Sequence, residues 1–171
     1  TGDVVIAIDS SRMSELREAC ERRVGSMVRH KYRLDSLLGY GAMGAVFAAT
    51  HRNWSRRAPQ VLHPANANTE NLRNRFLREG YGANRIPHPG VVRIADDDDD
   101  DELGTVFLVM ELLDGATLSG KLETGGGKLP LAEAIRAAQA VLDVLATAHD
   151  VGIIHRDIKP ENVFCCASGE I

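Results

Sequence analysis

Cysteine, long apolar runs and excess positive charge are all scarce in this sequence of 171 residues, and each scarcity excludes something. The three cysteines are Cys20, Cys165 and Cys166. An odd count with one adjacent pair and no C-x-x-C spacing gives neither a disulfide framework nor a zinc site, so the thiols read as packed side chains in a reducing cytoplasm. No apolar run approaches the ~20 residues of a membrane span. The stretch Val4–Ile8 is too short for a signal peptide and is flanked by Asp3 and Asp9. Lys and Arg total 20 against 24 Asp and Glu, for a net charge of -4, which offers no strongly basic face to nucleic acid. What remains, 44% hydrophobic and 26% charged residues, is the make-up of a globular domain able to bury a core. The chain starts at Thr1 and ends just past the turn-like Ser168-Gly169, and both ends read as cut.

Within residues 1–30, a leader, Met13, Leu16, Cys20 and Val24 fall at helical spacing with Ser11 as a candidate N-cap. From Tyr32 the period shortens. Tyr32–Leu38, Ala45–Thr50 and Arg57–Leu62 read as strands, Thr69–Ala83 as a helix, and Val91–Ala95 and Thr105–Glu111 as two further strands. Asp96–Glu102 is seven consecutive acidic residues. Like charges at that density repel, so a solvated hairpin loop is expected, with a site for a basic partner or divalent ion as the other reading. Asp114-Gly115 and Gly125-Gly126-Gly127 read as turns. Pro130 suits a helix start, and Leu131, Ile135, Ala138, Leu142, Leu145 and His149 keep helical spacing until about Gly152. No internal repeat is present. The chain therefore divides into the leader, a sheet-rich part over 31–112 and a mostly helical part over 113–171.

Gly39-Tyr40-Gly41-Ala42-Met43-Gly44-Ala45-Val46 fits G-x-G-x-x-G-x-V. Glycines let a backbone fold tightly and bring its N–H groups close to phosphate oxygens. Alone the pattern is weak, expected by chance roughly 0.1 times in a chain of this composition. Its context is more telling. Val46, Phe47 and Thr50 favour a strand after the motif, whereas a dinucleotide-binding loop opens a helix.

His155-Arg156-Asp157-Ile158-Lys159-Pro160-Glu161-Asn162 is far more specific, with a chance probability of about 10⁻¹⁰ per start site. A solvated loop whose Asp and Lys merely pair is the plain reading of such an octet. The stretch resembles the H-R-D-x-x-x-x-N catalytic loop of protein kinases, in the style of the bacterial, eukaryotic-like serine/threonine kinases. That resemblance implies an α+β, protein-kinase-like fold. A five-stranded antiparallel N-lobe sheet with one inserted helix (the family's αC) would precede an incomplete helical C-lobe. It also implies ATP and Mg2+ as cofactors and a protein as substrate. Asp157 would orient or accept the substrate hydroxyl proton, Lys159 would neutralise the transferring phosphoryl group, and Asn162 would hold magnesium. His155 would be structural, and Arg156 would meet a phosphate on the activation segment. The glycines Gly39, Gly41 and Gly44 would cradle phosphate, and Glu79 would be the helix glutamate. Leu38, Val46, Ala58 and Met110 would line the adenine pocket, with the backbone of Glu111 and Leu113 bonding adenine.

The pattern departs from the family in two places. Family members carry a lysine on the third strand. Here the segment reads Arg57-Ala58-Pro59-Gln60-Val61-Leu62-His63-Pro64, which puts Gln60 in that place, and no lysine lies between Lys31 and Lys121. A unit charge pair at ~4 Å in an effective dielectric of ~20 is of order 4 kcal/mol before desolvation, and Gln60 cannot supply it. Pro59 also removes a ladder donor from an expected interior strand. The second departure is that the Asp-Phe-Gly metal segment is not among the 171 residues. A truncated and inactive kinase piece is therefore expected, with a pseudokinase-type binding or scaffold module as the alternative. A small-molecule phosphotransferase is disfavoured by Arg156 and Lys159. The apolar face of Leu131–Val151 is expected to promote association.

Overall fold

Alternating apolar residues from Tyr32 onward fold into a strongly paired sheet, and the computed structural model describes residues 10–100, 102 and 104–171. The Val4–Ile8 stretch and the start of the leader lie outside the described residues. In chain order, α1 (Ser10–Glu21) is followed by β1 (Met27–Val28), β2 (Tyr32–Tyr40), β3 (Gly44–His51) and β4 (Arg56–Leu62). Next come α2 (Pro64–Ala67), α3 (Glu70–Asn84), β5 (Ile94–Asp100) and β6 (Thr105–Glu111). β7 (Gly115–Thr117), α4 (Leu118–Thr124), α5 (Leu131–Asp150), a 3-10 turn at Pro160–Asn162 and β8 (Phe164–Cys166) complete the chain. Two compact units result, Thr1–Leu77 with Ala95–Leu112, and Arg78–Ile94 with Leu113–Ile171.

The first unit is a six-stranded sheet in the order β1-β2-β3-β4-β6-β5, one strand more than the sequence leads one to expect. The extra strand is β1, whose two residues are too few to show a period. One face of the sheet is the core. The register aligns Ala45, Val61 and Phe107 across β3, β4 and β6, and these pack with Leu34, Phe47 and Val109 at or near zero exposure. Truncating Phe47 to alanine there costs about 3–5 kcal/mol. The leader joins this core. Cys20 of α1 is buried within it, whereas Ser11 falls inside the helix rather than capping it, and Val24 lies past its end.

Pro59 sits fully buried in interior strand β4, opposite Val109 of β6. On the other side the β3–β4 ladder skips from Val46↔Gln60 to Ala49↔Arg57 with no change of register. The gap falls at the residue that has no N–H to donate.

The acidic run is a strand, not the expected loop. Asp96–Asp100 form most of β5, an edge strand beside β6, and metal-holding clusters are absent among the described residues. Cations and donors from the far end of the sheet meet this strand. Arg29 Nε lies 3.1 Å from Asp98, Lys31 Nζ lies 3.7 Å from both Asp96 and Asp98, and the Arg29 N–H donates to Asp100 at 2.7 Å. Arg73 of α3 pairs with Asp99. Period-two alternation sorts the carboxylates between two sets of partners, which offsets their mutual repulsion. The strand starts at Ile94, later than expected. The Asn84 amide bonds both the carbonyl and the N–H of Ile94 at 2.9 Å and pins the chain there.

In the second unit, α5 starts just after Pro130 and stops at Asp150, and Gly152 follows in a left-handed conformation with φ 74°. Gly115, expected in a turn, instead opens β7, which pairs antiparallel with β8. Three-residue strands carry too little pattern to be read locally. A Cβ on Gly115 would strike the Cys165 carbonyl, so this close pairing requires glycine.

Candidate active site

The glycine-rich segment forms the tip of the β2–β3 hairpin in the first unit. Gly39 pairs with Val46 and Tyr40 with Ala45, and the Gly41 N–H donates to the Gly44 carbonyl at 2.9 Å. A Cβ on Gly44 would collide with the Val61 carbonyl of β4. Gly39 and Gly41 have open space beside them, which is what close approach of a ligand to backbone N–H groups needs.

Three carbonyls at the tip are held from one side. His63 Nε2 donates to the Gly41 carbonyl at 2.8 Å, and the His63 N–H donates to the Met43 carbonyl at 2.9 Å. Asn66 Nδ2 of α2 donates to the carbonyls of Ala42 and Met43 at 2.8 and 2.9 Å. A carbonyl only accepts, so Nε2 of His63 carries the proton.

Register places the expected nucleotide side chains together. Val46, Gln60 and Leu108 are aligned across β3, β4 and β6, and Ala58 is aligned with Met110 two residues along. Aligned and alternate residues share a face, so these five lie on the sheet face opposite the Phe47 core. Leu108 is a member that the sequence reading missed. Leu38 sits at a register shift in β2 and is 54% exposed. Glu111 ends β6, whereas Leu113 belongs to the second unit and Glu79 is exposed on α3.

In the second unit, residues 155–162 form an exposed loop ending in the 3-10 turn that starts at Pro160. Arg156 takes φ 65°, a left-handed conformation that a non-glycine residue holds at some cost. The Asp157 N–H donates to His155 Nδ1 at 3.3 Å. Lys159 Nζ lies 3.0 Å from Asp157 Oδ2, and Asn162 Nδ2 donates to both Oδ2 and the backbone carbonyl of Asp157 at 2.9 Å. Lys159 first and Asn162 second hold the Asp157 carboxyl below the ordinary carboxylate range. The trio read from the sequence is thus brought into mutual contact.

The protein kinase domain family matches residues 32–171. The chain belongs to the protein kinase family. It is 34% identical over 148 residues to the probable serine/threonine-protein kinase PknB of Corynebacterium glutamicum, a match covering 85% of this chain and 23% of that protein. It is 37% identical over 160 residues to the serine/threonine-protein kinase PkaA of Streptomyces coelicolor, covering 86% and 28%. The crystal structure of the Mycobacterium tuberculosis PknI kinase domain superposes with a TM-score of 0.69 at 31% identity, covering 85% of this chain and 58% of that domain. The chain thus spans about a quarter of the length of the curated relatives it matches. The family's α+β fold, with its N-lobe sheet, is the fold found here. His63 and Asn66 escaped the sequence reading because their partners are backbone carbonyls 20 or more residues away.

Proposed function

We propose that this chain carries the nucleotide-binding and catalytic-loop portion of a serine/threonine protein kinase, which transfers the γ-phosphoryl group of ATP to a protein hydroxyl. The observation that carries the reading is the contact set of Asp157, Lys159 and Asn162 in one exposed loop. Asp157 remains a carboxylate at neutral pH and can accept a hydrogen bond from a substrate hydroxyl. Lys159, on the same carboxylate oxygen, offers a mobile positive charge for a phosphoryl group. Because the Asn162 nitrogen is spent on Asp157, its Oδ1 is the atom left to ligate, and a hard neutral oxygen suits magnesium. Bound magnesium and ATP supply the transferable group and neutralise its oxygens. The hairpin side fits in part, since Gly39 and Gly41 leave backbone uncovered. Within the first unit, Leu38, Val46, Ala58 and Met110 suit an adenine ring and Glu111 offers its backbone, while in the second unit the family resemblance gives Leu113 a backbone role and Glu79 that of the helix carboxylate.

Gln60 favours a second reading, a pseudokinase-type binding or scaffold module. It is the residue that the resemblance puts in the lysine's place, it is aligned with Val46 and Leu108, and it brings no charge. On this reading the 171 residues bind nucleotide weakly and transfer little or no phosphate. The free cysteines favour a cytoplasmic setting, and among the described residues no helix is long and apolar enough to cross a membrane. Transfer of label from γ-³²P ATP to a generic protein substrate is the test. Turnover no higher than that of Asp157→Asn supports the scaffold reading. Turnover that Asp157→Asn abolishes supports the catalytic one.

A further inference from the structure

The glycine hairpin is not a free flap in this chain. Peptide bonds are trans throughout the described residues, so each N–H points opposite to the carbonyl of the same peptide. Fixing the carbonyls of Gly41, Ala42 and Met43 toward His63 and Asn66 therefore turns the N–H groups of Ala42, Met43 and Gly44 the other way. Two side chains and one backbone N–H make four bonds of 2.8–2.9 Å to these three carbonyls. The holders are themselves placed by rigid structure. His63 precedes α2 and leaves β4 directly, Pro64 fixes the first turn of α2, and the Asn66 N–H donates back to the His63 carbonyl at 2.8 Å.

We propose that His63 and Asn66 are positioning residues that pre-orient the phosphate loop, aiming successive backbone N–H groups at a nucleoside polyphosphate before it binds. The inference rests on the nucleotide-binding reading above and extends it to residues that touch no ligand. Ordering a glycine-rich loop at the moment of binding costs conformational entropy, since glycine loses more freedom than any other residue. A loop already held by four bonds has lost that freedom in advance, so phosphate affinity gains without a new contact.

The test separates phosphate from base. Affinities of adenosine and of ATP are measured by calorimetry on the full chain and on three variants, Asn66→Asp, His63→Ala and His63→Gln. Asn66→Asp keeps the shape but replaces a donor with a carboxylate facing two carbonyls. The expected result is a loss of ATP affinity of about three- to tenfold in Asn66→Asp and His63→Ala, with adenosine affinity unchanged, and recovery in His63→Gln, which still donates. Equal loss for adenosine and ATP, or no loss for either, overturns the positioning role. Should the unmodified chain bind neither ligand, the nucleotide reading fails by itself. Pre-orientation is then decided by amide hydrogen exchange at Gly41, whose N–H is bonded across the tip to the Gly44 carbonyl. Exchange must accelerate in Asn66→Asp and stay slow in His63→Gln. Unchanged exchange in Asn66→Asp overturns it.

Discussion

The Tyr32 hydroxyl donates to the Asp96 carboxylate at 2.7 Å, joining β2 to β5, four places along the strand order. Tyr32 is 4% exposed, and burial first, then this hydrogen bond, raises its pKa above the usual phenol value. Nearby, the hydrogen bond from Arg29 leads the effects that depress the Asp98 pKa. The two groups stabilise the fold over different pH windows. Asp98 has a folded pKa below its unfolded one. Its contribution is full above the ordinary carboxylate value near ~3.9 and is lost as pH falls through the folded pKa. Tyr32 has a folded pKa above its unfolded one. Its contribution is full below ~10 and is lost as pH rises through the folded pKa. Urea unfolding followed by circular dichroism should therefore give a stability difference between the chain and Tyr32→Phe of about 1 kcal/mol at neutral pH. That difference should shrink only in strong alkali. The difference from Asp98→Asn should vanish only in strong acid. A Tyr32→Phe difference that fades in acid would contradict this seam.

Substituting Gln60 by lysine tests the nucleotide face. Gln60 is half-buried and aligned with Val46 and Leu108, where a cation would be partly shielded from water. The gross attraction of order 4 kcal/mol is reduced by desolvation, so a gain of about tenfold in magnesium-ATP affinity is expected in Gln60→Lys. Calorimetry reads it directly. An unchanged affinity would mean that this residue does not face the phosphates.

Much of this arrangement could be read from local pattern. The β2–β3–β4 meander follows from alternation broken by glycine, and the 155–162 loop follows from eight residues at fixed spacing. What escaped was tertiary. The acid strand exists because Arg29, Lys31 and Tyr32, 64 to 71 residues earlier in sequence, supply its counter-charges and donors. β7 and β8 are three residues each, and their pairing joins segments about 50 residues apart. The hold of His63 and Asn66 on the hairpin is likewise invisible until β4 has placed α2. Pro59 was read correctly as a lost donor, yet the strand persists because the β6 side of its ladder is continuous.

Helix α5 presents Leu131, Ile135 and Leu142 at 77%, 48% and 65% exposure, close to one stripe of the helix. Ala137 and Ala148 are its buried residues, and half of its six larger apolar side chains are exposed. An uncovered stripe of this kind drives association. The 171-residue chain should therefore self-associate at micromolar concentration. The double substitution Ile135→Lys, Leu142→Glu should reduce the weight-average mass toward the 18.6 kDa monomer by light scattering. A monodisperse monomer before substitution would refute the expectation.

The trio of Asp157, Lys159 and Asn162 makes an electrostatic prediction that needs no turnover. Lys159 is the leading cause of the depressed Asp157 pKa, and Asn162 is the next. Removing the charge in Lys159→Met should therefore move the Asp157 titration up toward the ordinary carboxylate value. Asn162→Ala should move it in the same direction by less. Carbon-13 detection of the Asp157 carboxyl gives each midpoint directly. All three are exposed, so salt should compress the Lys159 effect and leave the short-range Asn162 effect largely intact. A carboxylate whose pKa is lowered is a weaker proton acceptor. Its use to a kinase would lie in orienting a hydroxyl, and Lys159→Met would degrade that orientation even while making Asp157 more basic. A midpoint that does not move in Lys159→Met would show that the 3.0 Å contact is absent in solution, and the phosphoryl-transfer reading would lose its main support.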